Sequence, residues 1–288
     1  MTISVLFVIA FCGGCSAEQN SELFTVYNKD DRTSLSGASE EVAHYAPTVA
    51  LLSQKHRSPS PQNLNLSAPK FGAVFDMCMD EAFVEDKTVG DCTGFLVAKN
   101  LLLTAGHCVK SESACSKRTI IFNFHHQNQS TVRSSDLYFC KSIAARLEAH
   151  EGDLALIELD RVVELNQSQA LLKIEDFVPE TKESMRILSH PFGVSLKLSA
   201  LESSPEHDGT FFFAQADVSG GSSGAPMFHP ATGKLAGVVI GGESDLVWDE
   251  KSQCNRNKVC EDYRCKGEKF ASPSTVLKLM NAYQTQSE

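Results

Sequence analysis

Residues 217–226 read Asp217-Val218-Ser219-Gly220-Gly221-Ser222-Ser223-Gly224-Ala225-Pro226. Three glycines set among serines are a costly way to build a chain, because glycine loses more backbone freedom on folding than any other residue. Such a run allows a backbone turned sharply enough to aim its N–H groups at one point, beside a side chain that projects freely. Acyl transfer needs that geometry: a nucleophilic hydroxyl flanked by amide donors aimed where an oxyanion forms. A flexible surface loop would have a similar composition, so the reading turns on the rest of the chain.

A serine hydroxyl is a weak nucleophile until a base takes its proton, and the base needs an acid to orient it. Upstream lies Leu101-Leu102-Leu103-Thr104-Ala105-Gly106-His107-Cys108, an apolar strand-like run leading to a histidine. Between the two lies Gly152-Asp153-Leu154-Ala155-Leu156-Ile157-Glu158-Leu159, where an aspartate opens a second apolar run. The chain order is His, Asp, Ser. With the motifs Thr104–Cys108, Asp153–Leu156 and Gly221–Pro226, the sequence resembles the trypsin/chymotrypsin superfamily of serine peptidases. It is most similar to the bacterial branch that includes the glutamyl endopeptidases. The resemblance covers most of the chain after about residue 70, and three motifs in the right order carry far more than any one alone.

The resemblance implies an all-β fold of two packed antiparallel β-barrels, chymotrypsin-like, with a C-terminal α-helix. It implies His107 as general base, Asp153 as its orienter and Ser223 as nucleophile, with backbone N–H groups of Gly221 and Ser223 as oxyanion donors. Substrate-contacting positions would be Asp217, Gly241 and Gly242, and Cys92 would pair with Cys108. A bridge closing a loop of that size stabilises by about 3 kcal/mol in the chain-entropy model. No cofactor or metal is called for. The expected partner is a polypeptide substrate, and the expected state is a monomer.

Departures from the family pattern are informative. Animal trypsin-like enzymes carry, just before the nucleophile, an aspartate that pairs with a newly cut N-terminus; here Ser222 stands there, so any activation must work otherwise. Asp217 lies where trypsins place the acid that selects Arg or Lys, although a turn-capping role is at least as apt. Glutamyl endopeptidases have a histidine in the strand after the nucleophile; in Gly237-Val238-Val239-Ile240-Gly241-Gly242 that place is Val239, which speaks against glutamate preference.

The chain has 288 residues and a net charge of −10, enough to bury a sizeable core and with no basic face to suggest nucleic acid. Its first fifteen residues carry no charged side chain, and Ile3–Phe11 is apolar apart from Ser4. That stretch is too short to span a bilayer and fits an export signal. Cys12-Gly13-Gly14-Cys15 has the form of a loose lipoprotein box with Cys15 as the lipidated residue; alternatively Cys15-Ser16-Ala17 is a simple cleavage site. Either route exports the protein, to a secreted, periplasmic or lipid-anchored destination. Beyond these two cysteines, eight remain, and an even count on an exported chain reads as disulfides. Apart from Cys92 and Cys108, six cysteines allow fifteen pairings that sequence does not decide. Cys254, Cys260 and Cys265 lack the close spacing and nearby histidine of a zinc site.

Four segments are expected: a signal over 1–17, a polar tether or pro-segment over 18–43, and barrels over 44–165 and 166–288. Short apolar runs at 71–75, 94–97, 101–104, 119–124, 154–159, 186–189, 194–198, 210–216, 235–240 and 245–248 argue strands. Ser272-Pro273-Ser274-Thr275 caps a helix that would put Val276, Leu279, Met280 and Tyr283 on one face.

Three other functions fit parts of the sequence less well. Gly220–Gly224 also fits the nucleophile elbow of an α/β-hydrolase esterase with Ser222 reacting. That class orders its triad Ser, acid, His; here His229 alone follows Ser222, too soon for an acid between them. A catalytically silent homologue that binds partners through its cleft usually lacks a triad member, and none is missing here. A stress protease with an appended peptide-binding domain needs more chain than follows Trp248.

Overall fold

The computed structural model describes residues 26–54, 64–125, 129–177, 185–201, 203, 206–207, 209–260 and 265–287. The expected export signal, with Cys12 and Cys15, lies outside the described residues.

Six strands make the first barrel: β1 Val49–Ser53, β2 Cys92–Ala98, β3 Leu101–Ala105, β4 Thr119–Phe122, β5 Leu137–Leu147 and β6 Leu154–Leu159. Their antiparallel pairing closes the ring in the order β6-β3-β2-β1-β4-β5. Six more make the second: β7 Arg186–Ser189, β8 Lys197–Ala200, β9 Phe211–Ala214, β10 Pro226–His229, β11 Lys234–Gly241 and β12 Glu268–Ala271. These run β9-β12-β11-β10-β7-β8, and the bridge Leu201↔Ala216 brings the two edges together. Numbered within its own half, each ring has the same order, so the two halves share a Greek-key plan that no sequence repeat announces.

Strand β11 shows why the apolar runs are unbroken. Val238 and Ile240 pack into the large core that the first barrel shares with β10 and β11, whereas Ala236 and Val239 face the second barrel's core with Phe212, Met227 and Phe270. A strand buried on both faces has no polar face to alternate with.

The helix α1, Pro273–Ser287, starts where the proline and serines predict, with Ser272 Oγ accepting the Thr275 N–H at 3.3 Å. Val276 and Leu279 are fully buried in the large shared core, and the helix packs mostly on β5 and β6 of the first barrel and less on β11. The end of the chain thus fastens the half made first.

Several expectations need correction. Residues 71–75 form a helical turn, Phe71–Val74, because four-residue spacing brings Phe71 and Phe75 onto one side, where both meet Phe192. The strand expected at 194–198 is displaced to Lys197–Ala200 by the turn Pro191–Gly193 before it. The segment expected as a tether is in part built into the fold. Val26–Tyr27 pairs in parallel with Val259–Cys260, and Thr33–Ser34 adds an edge strand to β8. Cysteines pair as Cys78–Cys254, Cys92–Cys108, Cys115–Cys140 and Cys260–Cys265.

Leu279→Ala should lower stability by about 2–5 kcal/mol, the usual cost of a cavity at a fully buried leucine. Denaturant unfolding followed at first-barrel probes checks this. A loss under about 1 kcal/mol would show that α1 is peripheral to that barrel.

Candidate active site

The register of β3 against β6 sets up the first half of the site. Leu154 pairs with Ala105, so the next residues outward, Asp153 and Gly106, face each other, and the Gly106 N–H donates to the Asp153 carbonyl at 2.7 Å. His107 follows on a short turn, Gly106–Val109. Asp153 Oδ1 accepts the His107 backbone N–H at 2.9 Å, and Asp153 Oδ2 lies 2.6 Å from His107 Nδ1. As a carboxylate Asp153 can only accept, which places the shared proton on Nδ1 and leaves Nε2 to exchange protons in the cleft. Asp153 holds a left-handed backbone, φ 48°, that suits aspartate better than most residues. Its own N–H is held by the Glu148 carbonyl at 3.0 Å. Beyond His107, Arg118 is buried and donates Nε and NH2 to the Cys108 carbonyl at 2.9 and 2.6 Å, while NH1 pairs with Asp91. The Cys92–Cys108 bridge ties the same turn to β2.

Ser223 lies just before β10, on the second barrel. The turn that carries it is gripped by the first barrel through a buried threonine. Thr93 donates its backbone N–H to the Ser223 carbonyl at 2.8 Å and its hydroxyl to the Gly221 carbonyl at 2.8 Å. The same hydroxyl accepts the His190 N–H at 3.0 Å, and Thr104 Oγ1 donates to the Thr93 carbonyl at 2.6 Å. Glycine is required at two places in the turn. Gly221 has φ +95°, and a Cβ there would lie 2.6 Å from the His190 carbonyl oxygen and 2.7 Å from the Gly193 nitrogen. Gly224 has φ +89°, and a Cβ would overlap the Thr93 carbonyl. The Gly221 N–H donates to no acceptor among the described residues.

His107, Gly221 and Ser223 line one cleft of about 580 Å³ between the barrels, with the Cys92–Cys108 bridge on its first-barrel wall. Asp153 stands behind His107. The histidine and the two cysteines cluster as metal ligands would, but both sulfurs are spent in the bridge. Ser222, the nucleophile of the esterase reading, is fully buried; its hydroxyl accepts the Ser219 N–H at 3.2 Å and reaches Ser189 Oγ at 3.1 Å.

Asp217 was expected to touch substrate or to cap a turn. Asp217 is fully buried and does not line the cleft. Its Oδ1 accepts the Tyr27 N–H and its Oδ2 the Asp31 N–H, both at 2.7 Å. The carboxylate caps the chain's own N-terminal segment, the kind of turn-capping role its residue type allows. Gly241 ends β11 opposite Lys269, and neither it nor Gly242 lines the cleft. Val239 is buried in the second core and does not line the cleft.

Sequence reading missed Thr93, Thr104 and Arg118. The signal, a threonine inside each of two otherwise apolar strands, is indistinguishable from ordinary β-propensity. It also missed Asp245, whose Oδ2 accepts the Gly220 N–H at 3.0 Å. Burial pushes the Asp245 carboxyl up to about 8 and the Asp217 carboxyl up to about 7. An acid with a raised folded-state pKa keeps its proton while the unfolded chain loses it, so the native state loses stability as pH climbs from about 4. For Asp245 that loss continues to about 8. Asp245→Asn, which keeps an acceptor for Gly220, should therefore raise Tm at about pH 8 and leave it nearly unchanged at about pH 4. Calorimetry at the two pH values checks this; a gain confined to low pH would contradict it.

The model of a trypsin-like peptidase domain matches residues 92–238, just over half of the chain. No curated protein matches the sequence. Among solved structures, a Glu endopeptidase in complex with MPD is similar at 17% identity and a TM-score of 0.52, over 90% of this chain and 99% of that one. An alanine variant of Rv3671c from M. tuberculosis, in an inactive form, is similar at 11% identity and a TM-score of 0.47, over 86% of this chain and 92% of that one. Identities this low speak to the fold alone. With its twin barrels, terminal helix and matched domain, the chain belongs to the trypsin-like peptidase family.

Proposed function

We propose that the chain is an exported serine endopeptidase that cleaves polypeptides through an acyl-enzyme. The observation that carries this reading is the paired ring and backbone of His107 on the two oxygens of Asp153, beside a cleft that Ser223 also lines. In the first step the Ser223 hydroxyl oxygen bonds to the scissile carbonyl carbon and its proton passes to His107 Nε2. Asp153 keeps the imidazole in the useful tautomer and favours the imidazolium. The N–H groups of Gly221 and Ser223 take the negative charge that develops on the carbonyl oxygen. His107 then returns the proton to the leaving amine as the C–N bond breaks. Water then gives a proton to the same imidazole as its oxygen bonds to the acyl carbon; the ester bond to Ser223 breaks, the acid product leaves and the proton returns to Ser223 Oγ.

The burial of Asp217 supports a specificity other than Arg or Lys. Four disulfides among the described residues suit an oxidising compartment, in keeping with the apolar stretch Ile3–Phe11. A monomer acting in the secreted, periplasmic or Cys15-anchored state fits this reading.

Ser223→Ala and His107→Ala should each lower turnover of an unfolded protein substrate by on the order of 10⁴-fold or more while leaving the circular dichroism unchanged. Wild-type-level turnover in either folded variant would refute its role. A wild-type protein that binds but never cleaves would favour the silent-homologue reading.

A further inference from the structure

Next to the nucleophile turn, and outside the lining of the cleft, the chain's own residues 26–34 pack on the second barrel. Arg32 is the centre of this segment and is almost wholly buried. Its guanidinium makes a two-pronged pair with Asp30, Nε to Oδ1 at 2.8 Å and NH2 to Oδ2 at 2.7 Å. The same NH2 reaches Asn257 Oδ1 at 3.2 Å, and NH1 donates to Ser219 Oγ at 2.6 Å. Ser219 in turn donates its N–H to Ser222 Oγ, and its carbonyl accepts the Ser222 N–H at 2.8 Å. One residue on, the Gly220 N–H is held by Asp245, whose carboxyl feels the Arg32 charge, and the Gly220 carbonyl accepts from Phe192 N. Asp217, two residues before Ser219, anchors the segment through the Tyr27 and Asp31 amides.

These contacts bear on one peptide. Gly221 sits between Gly220, fixed at both its N–H and its carbonyl, and Ser222, fixed at its N–H and its hydroxyl. The direction of the Gly221 N–H is therefore set by its neighbours' bonds. Ser222 bears no carboxylate that a freed N-terminus could pair with, so the support comes from within the chain. We propose that residues 26–34 are a built-in brace of the oxyanion turn, in which Arg32 and Asp245 are positioning residues that hold Ser219 and Gly220 so that the Gly221 N–H faces the cleft. This rests on the peptidase reading above for its consequence in catalysis, but not for the brace itself. The brace makes the turn competent without proteolytic release of a new amino terminus.

The test uses the full chain with Arg32→Met, Asp245→Ala and Asp245→Asn. Methionine keeps the bulk of the arginine stem and removes every donor; asparagine keeps the acceptor that alanine removes. Amide hydrogen exchange of the peptide spanning 217–224 reads the brace independently of chemistry. Arg32→Met and Asp245→Ala should raise its exchange rate at least tenfold while β2 and β3 peptides stay at the wild-type rate, and Asp245→Asn should stay near wild type. In turnover, the first two should lower kcat about ten- to a hundredfold with KM within threefold, a fraction of the loss of a whole oxyanion donor; Asp245→Asn should fall less than threefold. If Arg32→Met does not fold, the contrast between Asp245→Ala and Asp245→Asn decides. Unchanged exchange in folded Asp245→Ala would overturn the brace, as would a rise in kcat, which would mark the segment as a cover rather than a support. A wild type that is unreactive, yet shows the exchange pattern above, would sink the peptidase reading and leave the brace standing.

Discussion

Two N–H groups of one residue converge on the two oxygens of another: the backbone and ring of His107 on Asp153. The rest of the site follows from that pair. It demands that Asp153 sit one residue outside the last rung between β3 and β6, which the pairing of Leu154 with Ala105 provides. It also demands a backbone turned to φ 48° at the aspartate. Strain of that kind persists only where the surroundings over-determine it. Here the Glu148 carbonyl, the Gly106 N–H and the two contacts to His107 do so, and they fix the imidazole against the mouth of a cleft.

The second constraint links the barrels. Ser223 belongs to the second, yet Thr93 of the first holds the carbonyls on either side of Ser222. Rotating one barrel against the other would break these bonds and the Gly224–Thr93 packing together. The common apolar core, which takes in β10 and β11 from one half and most of the other, makes such a rotation costly, and α1 lies across the first barrel as a further tie. A site assembled from two bodies thus behaves as one rigid piece, as preorganised hydrogen-bond donors require.

His107, Asp153 and Ser223 could be singled out in the sequence because each motif couples a special residue to a strand end, and strand ends in a barrel of fixed register have few places to go. The terminal helix was legible for a similar reason: Ser272 and Pro273 state a start, and Val276, Leu279, Met280 and Tyr283 state a face. What stayed hidden depends on distant partners. Residues 26–34 look like a solvated tether, since Asp30, Asp31 and Arg32 in a row carry no apolar pattern; their burial is offset by hydrogen bonds to Asp217, Ser219 and Asn257, more than 180 residues away. Strand β5 was missed because it bends through two irregularities and leaves Lys141 exposed, so neither alternation nor a continuous apolar run marks it. Asp217 stayed ambiguous because its residue type suits a specificity pocket and a turn cap equally well.

The central claim is that His107 and Ser223 act on one another. Treating the folded protein with a fluorophosphonate and mapping the adduct by peptide mass spectrometry tests this most directly. The account predicts one adduct, on Ser223, that disappears in His107→Ala; an adduct on Ser222 or elsewhere, or labelling of Ser223 undiminished in that variant, would contradict it.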